Sequence, residues 1–434
     1  MRLFHGELWA ELSGYTLVFL MAVFPMIFEL AYVEAFLFLI VIAAAALAAF
    51  NTGAPVLHRT VILWTLFLST MGFFFILEGF VRGAPGASAE VLPYVIFPII
   101  YGLAIAGVRN DRILLRLTTV LLVSVICIAF YSIWFLLIQT RILPENRFMD
   151  LISFDWEPTE FALGEGFIRM QYPGVNSMPF LAPFVFALLG VSFPLIKGSL
   201  LSRRVWQWIA LMLAMASVLI SGRRALYLVF LTAPIFTALF SSFLPAVQRS
   251  LSRKSLLRVT AIGVLSVVVL VTCLGSIYGV SLNGMAQRMA AGFDFSDTAE
   301  QYGAIERRVQ FNALLSGWLD DPVLGAGLGT PAYGSIRSQR TPWNYELQYM
   351  ALLYQAGLLG VTGYAAGIFW IYWTGVRVIQ AGGHLGALMV ACLVGMTSLL
   401  IANATNPYLA RIDGLWAIFI PLAVINYWLL QRNR

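Results

Sequence analysis

About twelve long apolar runs constrain this chain more than any other feature of its sequence. Each has about 17–25 residues, which as a helix crosses a hydrocarbon core ~30 Å thick. In lipid, the backbone amides of such a segment are satisfied within a helix. The sequence therefore predicts an all-α, polytopic membrane protein, with a single integral membrane domain over residues 1–434. The predicted spans are roughly 12–30, 33–50, 60–78, 92–108, 113–139, 175–196, 205–221, 224–247, 259–279, 346–376, 386–404 and 413–430.

The composition excludes a soluble domain. Hydrophobic residues make up 60% of the chain and charged residues 11%, and the mean hydropathy is +0.84. Soluble domains are roughly 45–50% apolar and about 25% charged. In a membrane protein, the net charge of +6 is explained first by orientation, so no nucleic-acid partner is predicted.

The distribution of basic residues predicts the orientation. With the N-terminus inside, the inner segments carry 15 of the 27 basic residues, including both lysines, Lys197 and Lys254. The positive-inside rule then places both termini in the cytoplasm. Two long outer segments, 140–174 and 280–345, contain aromatic residues and leucine, which predicts folded loops rather than tethers.

Arg223 and Arg224 stand in the sequence SGRRALYLVF, in a tight outer turn between two spans. One interpretation is that both side chains snorkel to lipid headgroups. The other is a pyrophosphate clamp, because a guanidinium offers a planar fork of donors to phosphate oxygens. We favour the clamp, since two adjacent outer arginines break the positive-inside pattern.

The first outer loop ends in GFIRMQYPGVNSMPF, in which Arg169 and Asn176 flank a Tyr-Pro-Gly turn. This stretch is either a turn that closes the loop or a further pair of donors aimed at the same cavity. Both interpretations stay open at this point.

The second outer loop is rich in arginine and has no lysine. Its stretch ERRVQFNALLSGWLDD predicts an amphipathic helix that stops at Pro322. The following VLGAGLGT lacks the strand and the lysine of a P-loop, so we predict a flexible turn. The arginines form a predicted anion-binding surface and are Arg288, Arg307, Arg308, Arg337 and Arg340.

Glu346 begins the next apolar run, and Tyr349 lies on the same helical face by its spacing. Glu346 either pairs with a loop arginine or accepts a proton from a bound substrate. We predict Tyr349 to be a substrate contact.

No metal or cofactor is predicted. The three histidines, His5, His58 and His384, lie near predicted cytoplasmic ends. The pair Asp320–Asp321 before a proline is typical of capping at a helix end rather than of a cation site.

Three short motifs, taken in order, resemble the bacterial O-antigen polymerase and O-antigen ligase superfamily. They are SGRRAL in an outer turn, then Arg308 on a helix that ends DDPVLGAGLG, then a polar residue eleven positions before the glycine of AGLLG. The resemblance covers roughly residues 205–376. In the ligase branch this polar residue is typically histidine followed by asparagine, whereas this chain has Glu346 and Leu347. The difference favours the polymerase branch.

The resemblance implies metal-independent glycosyl transfer at the periplasmic face of a bacterial inner membrane. The donor would be an oligosaccharide linked through pyrophosphate to undecaprenol. Membrane lipid and a chain-length regulator protein are the other implied partners. Glu346, Arg224 and Arg308 would be the catalytic residues.

Three alternatives stay open. One is an O-antigen ligase that transfers the glycan to a lipid or protein acceptor. Another is a polysaccharide flippase, which would favour internal repeats and ionisable groups near the bilayer midplane. The third is a purely structural membrane subunit, which would leave the arginine-rich loop unexplained.

Overall fold

The computed structural model describes residues 2–25, 30–52, 55–144, 161–164, 166–172, 174–191, 204–290, 302–335 and 339–432. These residues form fourteen α-helices and one small sheet. The helices are α1 Arg2–Val23, α2 Ala31–Thr52, α3 Arg59–Val81, α4 Phe97–Ala104, α5 Asp111–Gln139, α6 Met178–Gly190, α7 Arg204–Ser221, α8 Arg224–Ser241, α9 Ala246–Tyr278, α10 Leu282–Ala290, α11 Tyr302–Asp320, α12 Gln348–Ala381, α13 Gly383–Asn403 and α14 Ile412–Arg432.

Among the described residues, nine helices are long and apolar enough to cross a membrane: α2, α3, α5, α7, α8, α9, α12, α13 and α14. Three shorter apolar helical segments accompany them, Glu11–Val23, Leu92–Gly107 and Val175–Gly190. The prediction of a helical, multi-pass membrane protein is thus confirmed.

The centre of the bundle is formed by α6 and α13. Every residue of α6 is buried, and α13 is buried along most of its length. Helices that are apolar all round belong inside a bundle or in lipid. By contrast, α2 and α9 leave most of their surface exposed, which in a membrane faces lipid.

Helix α9 starts earlier than the sequence indicated. The stretch 248–258 was predicted to be a connection before a span, but it is continuous with the helix that begins at Ala246. Pro245 precedes the first residue, and no glycine or proline interrupts the polar stretch that follows it, so nothing there ends the helix.

A β-hairpin within the first outer loop departs from the all-α prediction. Strand β1, Phe161–Gly164, pairs antiparallel with β2, Phe167–Met170. The part of this loop at positions 145–160 lies outside the described residues.

One end of the bundle, which we call the basic end, joins the connections that the sequence placed inside. The backbone N–H of His58 donates to Asn426 Oδ1 at 2.8 Å. His384 Nε2 lies 3.0 Å from Asp111 Oδ1, at the start of α5. The first contact joins the start of α3 to the last turns of α14. The second joins the start of α5 to the start of α13.

The opposite end, which we call the loop end, carries residues 82–91, 161–164, 166–172, 222–223, 279–290, 302–335 and 339–347. Arg82, just after α3, forms ion pairs with Glu78 and with Asp321, just after α11. The hairpin contacts the segment after α9, because Ser281 N–H donates to the Gly166 carbonyl at 2.9 Å. The two outer segments predicted from the sequence thus meet at one end.

Helix α12 is broken at Gly357, whose φ of 59° and ψ of −170° are not helical. Residues 322–328 run beside the break and supply its hydrogen bonds. Leu358 and Leu359 donate to the carbonyls of Pro322 and Val323, and the Tyr354 carbonyl accepts from Ala326. The break is therefore satisfied by backbone groups, as irregular backbone in a membrane protein requires.

The glycine run VLGAGLGT is not the flexible turn that its sequence predicted. Leu328 N–H donates to the Phe75 carbonyl at 2.9 Å, and Gly86 N–H donates to the Gly329 carbonyl at 3.1 Å. A Cβ at Gly327 would overlap the backbone of Gly79. The glycines allow the run to pack tightly between α3 and the broken helix, so they serve close backbone approach rather than mobility.

We expect Gly327→Ala to destabilise the protein more than Gly334→Ala. Both glycines have positive φ, +87° and +85°, but a Cβ at Gly334 would meet nothing within 4 Å. The positive φ costs about 1–2 kcal/mol in either variant. Overpacking adds about 1–3 kcal/mol at Gly327 alone. Thermal unfolding of both variants in detergent measures the difference, and equal midpoints would contradict the tight packing of this run.

Candidate functional site

The turn between α7 and α8 organises an arginine cluster at the loop end. Gly222 has a φ of +60°, and a Cβ there would overlap the carbonyl of Ile168 in strand β2. The turn therefore needs glycine both for its backbone conformation and for the close approach of the hairpin. This contact places Arg169, on β2, beside the Arg223–Arg224 pair.

Arg288 fixes α10 to the same turn. Its Nε donates to the Gly222 carbonyl at 2.9 Å, and its guanidinium lies 3.9 Å from the ring centroid of Phe167. The side chain is only 7% exposed. A guanidinium over an aromatic face gains a cation–π interaction that strengthens on desolvation. Three separate segments of the chain are thus joined by one arginine.

Arg223 contacts Asn176, the residue that the sequence analysis grouped with Arg169. Its Nη1 donates to Asn176 Oδ1 at 2.8 Å, and both Arg223 and Arg224 are half-buried. Arg224 is the first residue of α8, where the partial positive charge of the helix N-terminus adds to its own charge. Arg169 is exposed on its strand.

The contacts of Arg223 with Asn176 and of Arg288 with Gly222 and Phe167 are all with neutral groups. Such contacts orient a guanidinium. The structure therefore brings together four of the predicted site residues, Arg169, Asn176, Arg223 and Arg288, with Arg224 next in the chain. An anionic ligand with several oxygens suits this arrangement, because each guanidinium can donate two parallel hydrogen bonds.

Glu346 lies in a second cluster, between α11 and α12. Arg307 Nε donates to Glu346 Oε2 at 2.8 Å, and the Glu346 N–H donates to Gln310 Oε1 at 3.1 Å. The Glu346 side chain is 18% exposed and that of Arg307 is 37% exposed. Of the two interpretations of Glu346, the structure shows the pair with a loop arginine, and its role as a proton acceptor stays a prediction.

Of the remaining predicted site residues, Arg308 and Arg340 are exposed, and Arg337 is not among the described residues. Helix α11 begins at Tyr302, whereas the predicted stretch ERRVQFNALLSGWLDD begins at Glu306. Arg307 and Arg308 therefore lie further from the helix start than the sequence predicted. Arg340 lies at the loop end.

Tyr349 joins two helices. Its hydroxyl donates to the Leu400 carbonyl in the last turn of α13 at 2.6 Å. This bond satisfies a carbonyl near a helix end, where intrahelical donors are lacking. The side chain is 43% exposed, so it could contact a substrate only beside this structural bond.

Asp321, the second acid of the pair before Pro322, forms contacts within the protein. The Arg82 guanidinium beside Asp321 holds the pKa of that carboxyl below its usual range. Asp321 Oδ1 also accepts from the Leu324 N–H at 3.4 Å, a local side-chain-to-backbone bond in the turn after α11.

Glu90 is a residue whose position the sequence did not reveal. It is 8% exposed, on the turn before the π-helical segment Leu92–Ile96, and Trp343 of the second loop forms a side-chain hydrogen bond with it. Burial raises its pKa to about 7. Single π-helical turns are frequent at functional sites. The only sequence signal was a carboxylate directly before an apolar run.

We expect the stability of the protein to fall as pH rises from about 4.5 to about 7, and Glu90→Gln to reduce this dependence. The folded protein holds the Glu90 proton more tightly than the unfolded chain does, so deprotonation opposes folding. The difference between a pKa near 7 in the folded protein and 4.5 in the unfolded chain corresponds to about 3 kcal/mol of stability. The neighbouring titratable groups, Tyr94 and Tyr364, are phenols that stay neutral in this range.

Thermal midpoints of wild type and Glu90→Gln, measured between pH 4 and pH 8, test this expectation. Glu306→Gln, which changes an exposed carboxylate on α11, is the control. Parallel curves for wild type and Glu90→Gln would contradict it.

Models of known protein families and curated proteins give no match to this chain. The function is therefore argued from the two clusters and from the membrane setting.

Proposed function

We propose that this protein is a membrane glycosyltransferase that joins oligosaccharide repeat units carried on undecaprenyl pyrophosphate, as an O-antigen or exopolysaccharide polymerase does. The observation that supports this best is the arginine cluster on the Gly222 turn. Contacts with Asn176, Gly222 and Phe167 orient the guanidiniums of Arg223 and Arg288 there. Such a cluster suits the pyrophosphate of a lipid-linked donor at the edge of a membrane, because the lipid tail of the donor can lie between helices.

The proposed reaction needs no metal. A hydroxyl oxygen of the acceptor sugar forms a bond with the anomeric carbon of the donor, and the bond from that carbon to the pyrophosphate oxygen breaks. The electron pair leaves with the undecaprenyl pyrophosphate, whose charge Arg223 and Arg224 stabilise. Glu346 takes the hydroxyl proton, and Arg307 orients its carboxylate.

The proposed topology has twelve spans, with both termini in the cytoplasm and the loop end in the periplasm of a bacterial inner membrane. Contacts of the three shorter apolar segments support it. The end of α1 lies against Gly174 at the loop end, whereas Glu11 pairs with Arg116 near the basic end. The segment of α6 begins beside Asn176 and ends at Gly190, and the carbonyl of Leu189, one residue earlier, accepts from Ser255 of α9 at 2.7 Å.

The segment around α4 supports the same arrangement. It starts after Glu90, which contacts the second loop, and ends before Arg109, which donates to the Ala44 carbonyl of α2 at 2.8 Å. Each shorter segment thus connects the two ends of the bundle, so we include all three among the spans.

Purified protein incubated with an undecaprenyl-pyrophosphate oligosaccharide tests the proposed function. We expect a ladder of glycans of increasing repeat number on a gel, together with released undecaprenyl pyrophosphate, both with and without EDTA. Transfer of one glycan only when a separate lipid or protein acceptor is added would indicate a ligase. An intact donor that crosses a liposome membrane would indicate a flippase, and an activity restored only by Mg²⁺ or Mn²⁺ would overturn the metal-free mechanism.

A further inference from the structure

A cavity of about 100 Å³ lies within the helix bundle, away from both clusters of the loop end. It is lined by α1, α2, α5, α14 and the segment Leu92–Gly107. Its lining on α1 extends from Glu11 to Met21, which is ~15 Å along a helix axis. The remaining wall is almost entirely aliphatic and aromatic, so the cavity has the length and chemistry of a slot for a hydrocarbon chain.

The only carboxylate of this wall, among the described residues, is Glu11, at the end of the lining nearest the basic end, which we call the mouth of the cavity. Glu11 Oε2 accepts from Arg116 Nη1 at 2.8 Å and from the Tyr15 hydroxyl at 3.4 Å. Arg116 lies in the first third of α5, near the basic end. The mouth is therefore at the level where a lipid headgroup meets the hydrocarbon.

Two further arginines are adjacent in the chain to residues that line the cavity. Arg112 is exposed, next to the lining residue Ile113, and Arg109 follows the lining residue Val108. Arg109 Nη2 donates to the Ala44 carbonyl at 2.8 Å, whereas its buried Nε has no hydrogen-bond partner among the described residues. The nearby acid Asp111 lies 3.0 Å from His384, and Glu11 is paired with Arg116. Among these described side chains, three arginines accompany two acids, and one buried arginine donor is unsatisfied.

We propose that this cavity binds one acyl chain of an anionic membrane phospholipid, whose phosphate is held by Arg109 and Arg112. The chain fills apolar space that water cannot stabilise. A phosphate oxygen satisfies Arg109 Nε, which would otherwise be a buried donor without a partner. Basic pockets between helices at the cytoplasmic side of membrane proteins bind anionic headgroups in the same way. This site does not depend on the proposed glycosyl transfer.

Native mass spectrometry and thermal unfolding of the full-length protein in detergent test the proposal. We expect delipidated wild type to bind phosphatidylglycerol, with a raised thermal midpoint, and to bind phosphatidylcholine much less. The double variant Arg109→Gln, Arg112→Gln removes two charges near the headgroup, so its affinity should fall roughly thirtyfold.

Gly14→Leu is designed to fill the cavity, because a Cβ at this lining position meets only Val41, at 3.7 Å. Gly263→Leu is the matched control, since a Cβ there meets nothing within 4 Å and the residue lies on α9. We expect Gly14→Leu to lose phosphatidylglycerol binding and Gly263→Leu to keep it.

Three results would overturn the proposal. They are equal binding of both phospholipids by wild type, unchanged phosphatidylglycerol affinity in the Arg109–Arg112 double variant, and recovery of a polyprenyl phosphate in place of a phospholipid from the purified protein. The double variant keeps the test decisive if Gly14→Leu does not fold, because Arg112 is exposed and Arg109 lies at the end of a helical segment.

Discussion

Arg224→Lys is expected to lower turnover of an undecaprenyl-pyrophosphate donor roughly 10²–10³-fold, the loss found when one well-placed donor to a developing anion is removed. Lysine keeps the positive charge but replaces the planar fork of donors by a single ammonium. Arg224 is the residue to change because it starts α8, where the helix dipole favours the same anion. Donor consumption by the purified variant measures the effect.

The control for this experiment is Arg253→Lys, an exposed arginine in the first turns of α9 at the basic end. It makes the same chemical change far from the cluster, so turnover should stay at the wild-type level. Turnover of Arg224→Lys within about threefold of wild type would show that this residue does not hold the leaving group, since a lost fork contact costs at least tenfold at a desolvated site. The snorkelling interpretation of the pair would then be preferred.

The membrane fold could be predicted from the sequence because apolar length is a strong and local signal. Nine of the twelve predicted runs reappear as helices that are long and apolar enough to span, in the part of the chain that the structure describes. The glycine run after Pro322 was interpreted wrongly for a physical reason. Glycine permits both mobility and close packing. The backbones of α3, more than two hundred residues earlier, and of α12, which follows the run, decide between them.

The residue types of the candidate site could be predicted from the sequence, but the contacts between its side chains could not. Arginines in outer segments indicated an anion site, and the structure brings Arg169, Asn176, Arg223 and Arg288 around one glycine. Nothing in the sequence tells that Arg307 rather than Arg308 contacts Glu346, because adjacent residues on a helix point in directions about 100° apart and only the position of α12 selects one. The burial of Glu90 likewise depends on a distant segment, around Trp343.

Glu346→Gln is expected to lower turnover by about 10²–10⁴-fold while leaving donor binding intact, because an amide cannot accept the proton of the attacking hydroxyl. Glutamine has nearly the same shape and keeps an oxygen that can accept the Arg307 hydrogen bond. The effect should therefore appear in kcat more than in KM. Glu306→Gln, an exposed carboxylate on α11, is the control and should leave turnover unchanged.

The ion pair with Arg307 makes a second explanation possible, and a double-mutant cycle separates the two. If Glu346 only holds α11 against α12, then Glu346→Gln and Arg307→Gln should each lose thermal stability, with a coupling of about 1 kcal/mol for a partly exposed pair. The double variant should then recover both stability and turnover. If Glu346 accepts the proton, Arg307→Gln lowers turnover less than Glu346→Gln does, and the double variant stays as inactive as Glu346→Gln. Near-normal turnover of Glu346→Gln, accompanied by reduced stability, would remove this residue from the chemistry and leave it as a bridge between the two helices.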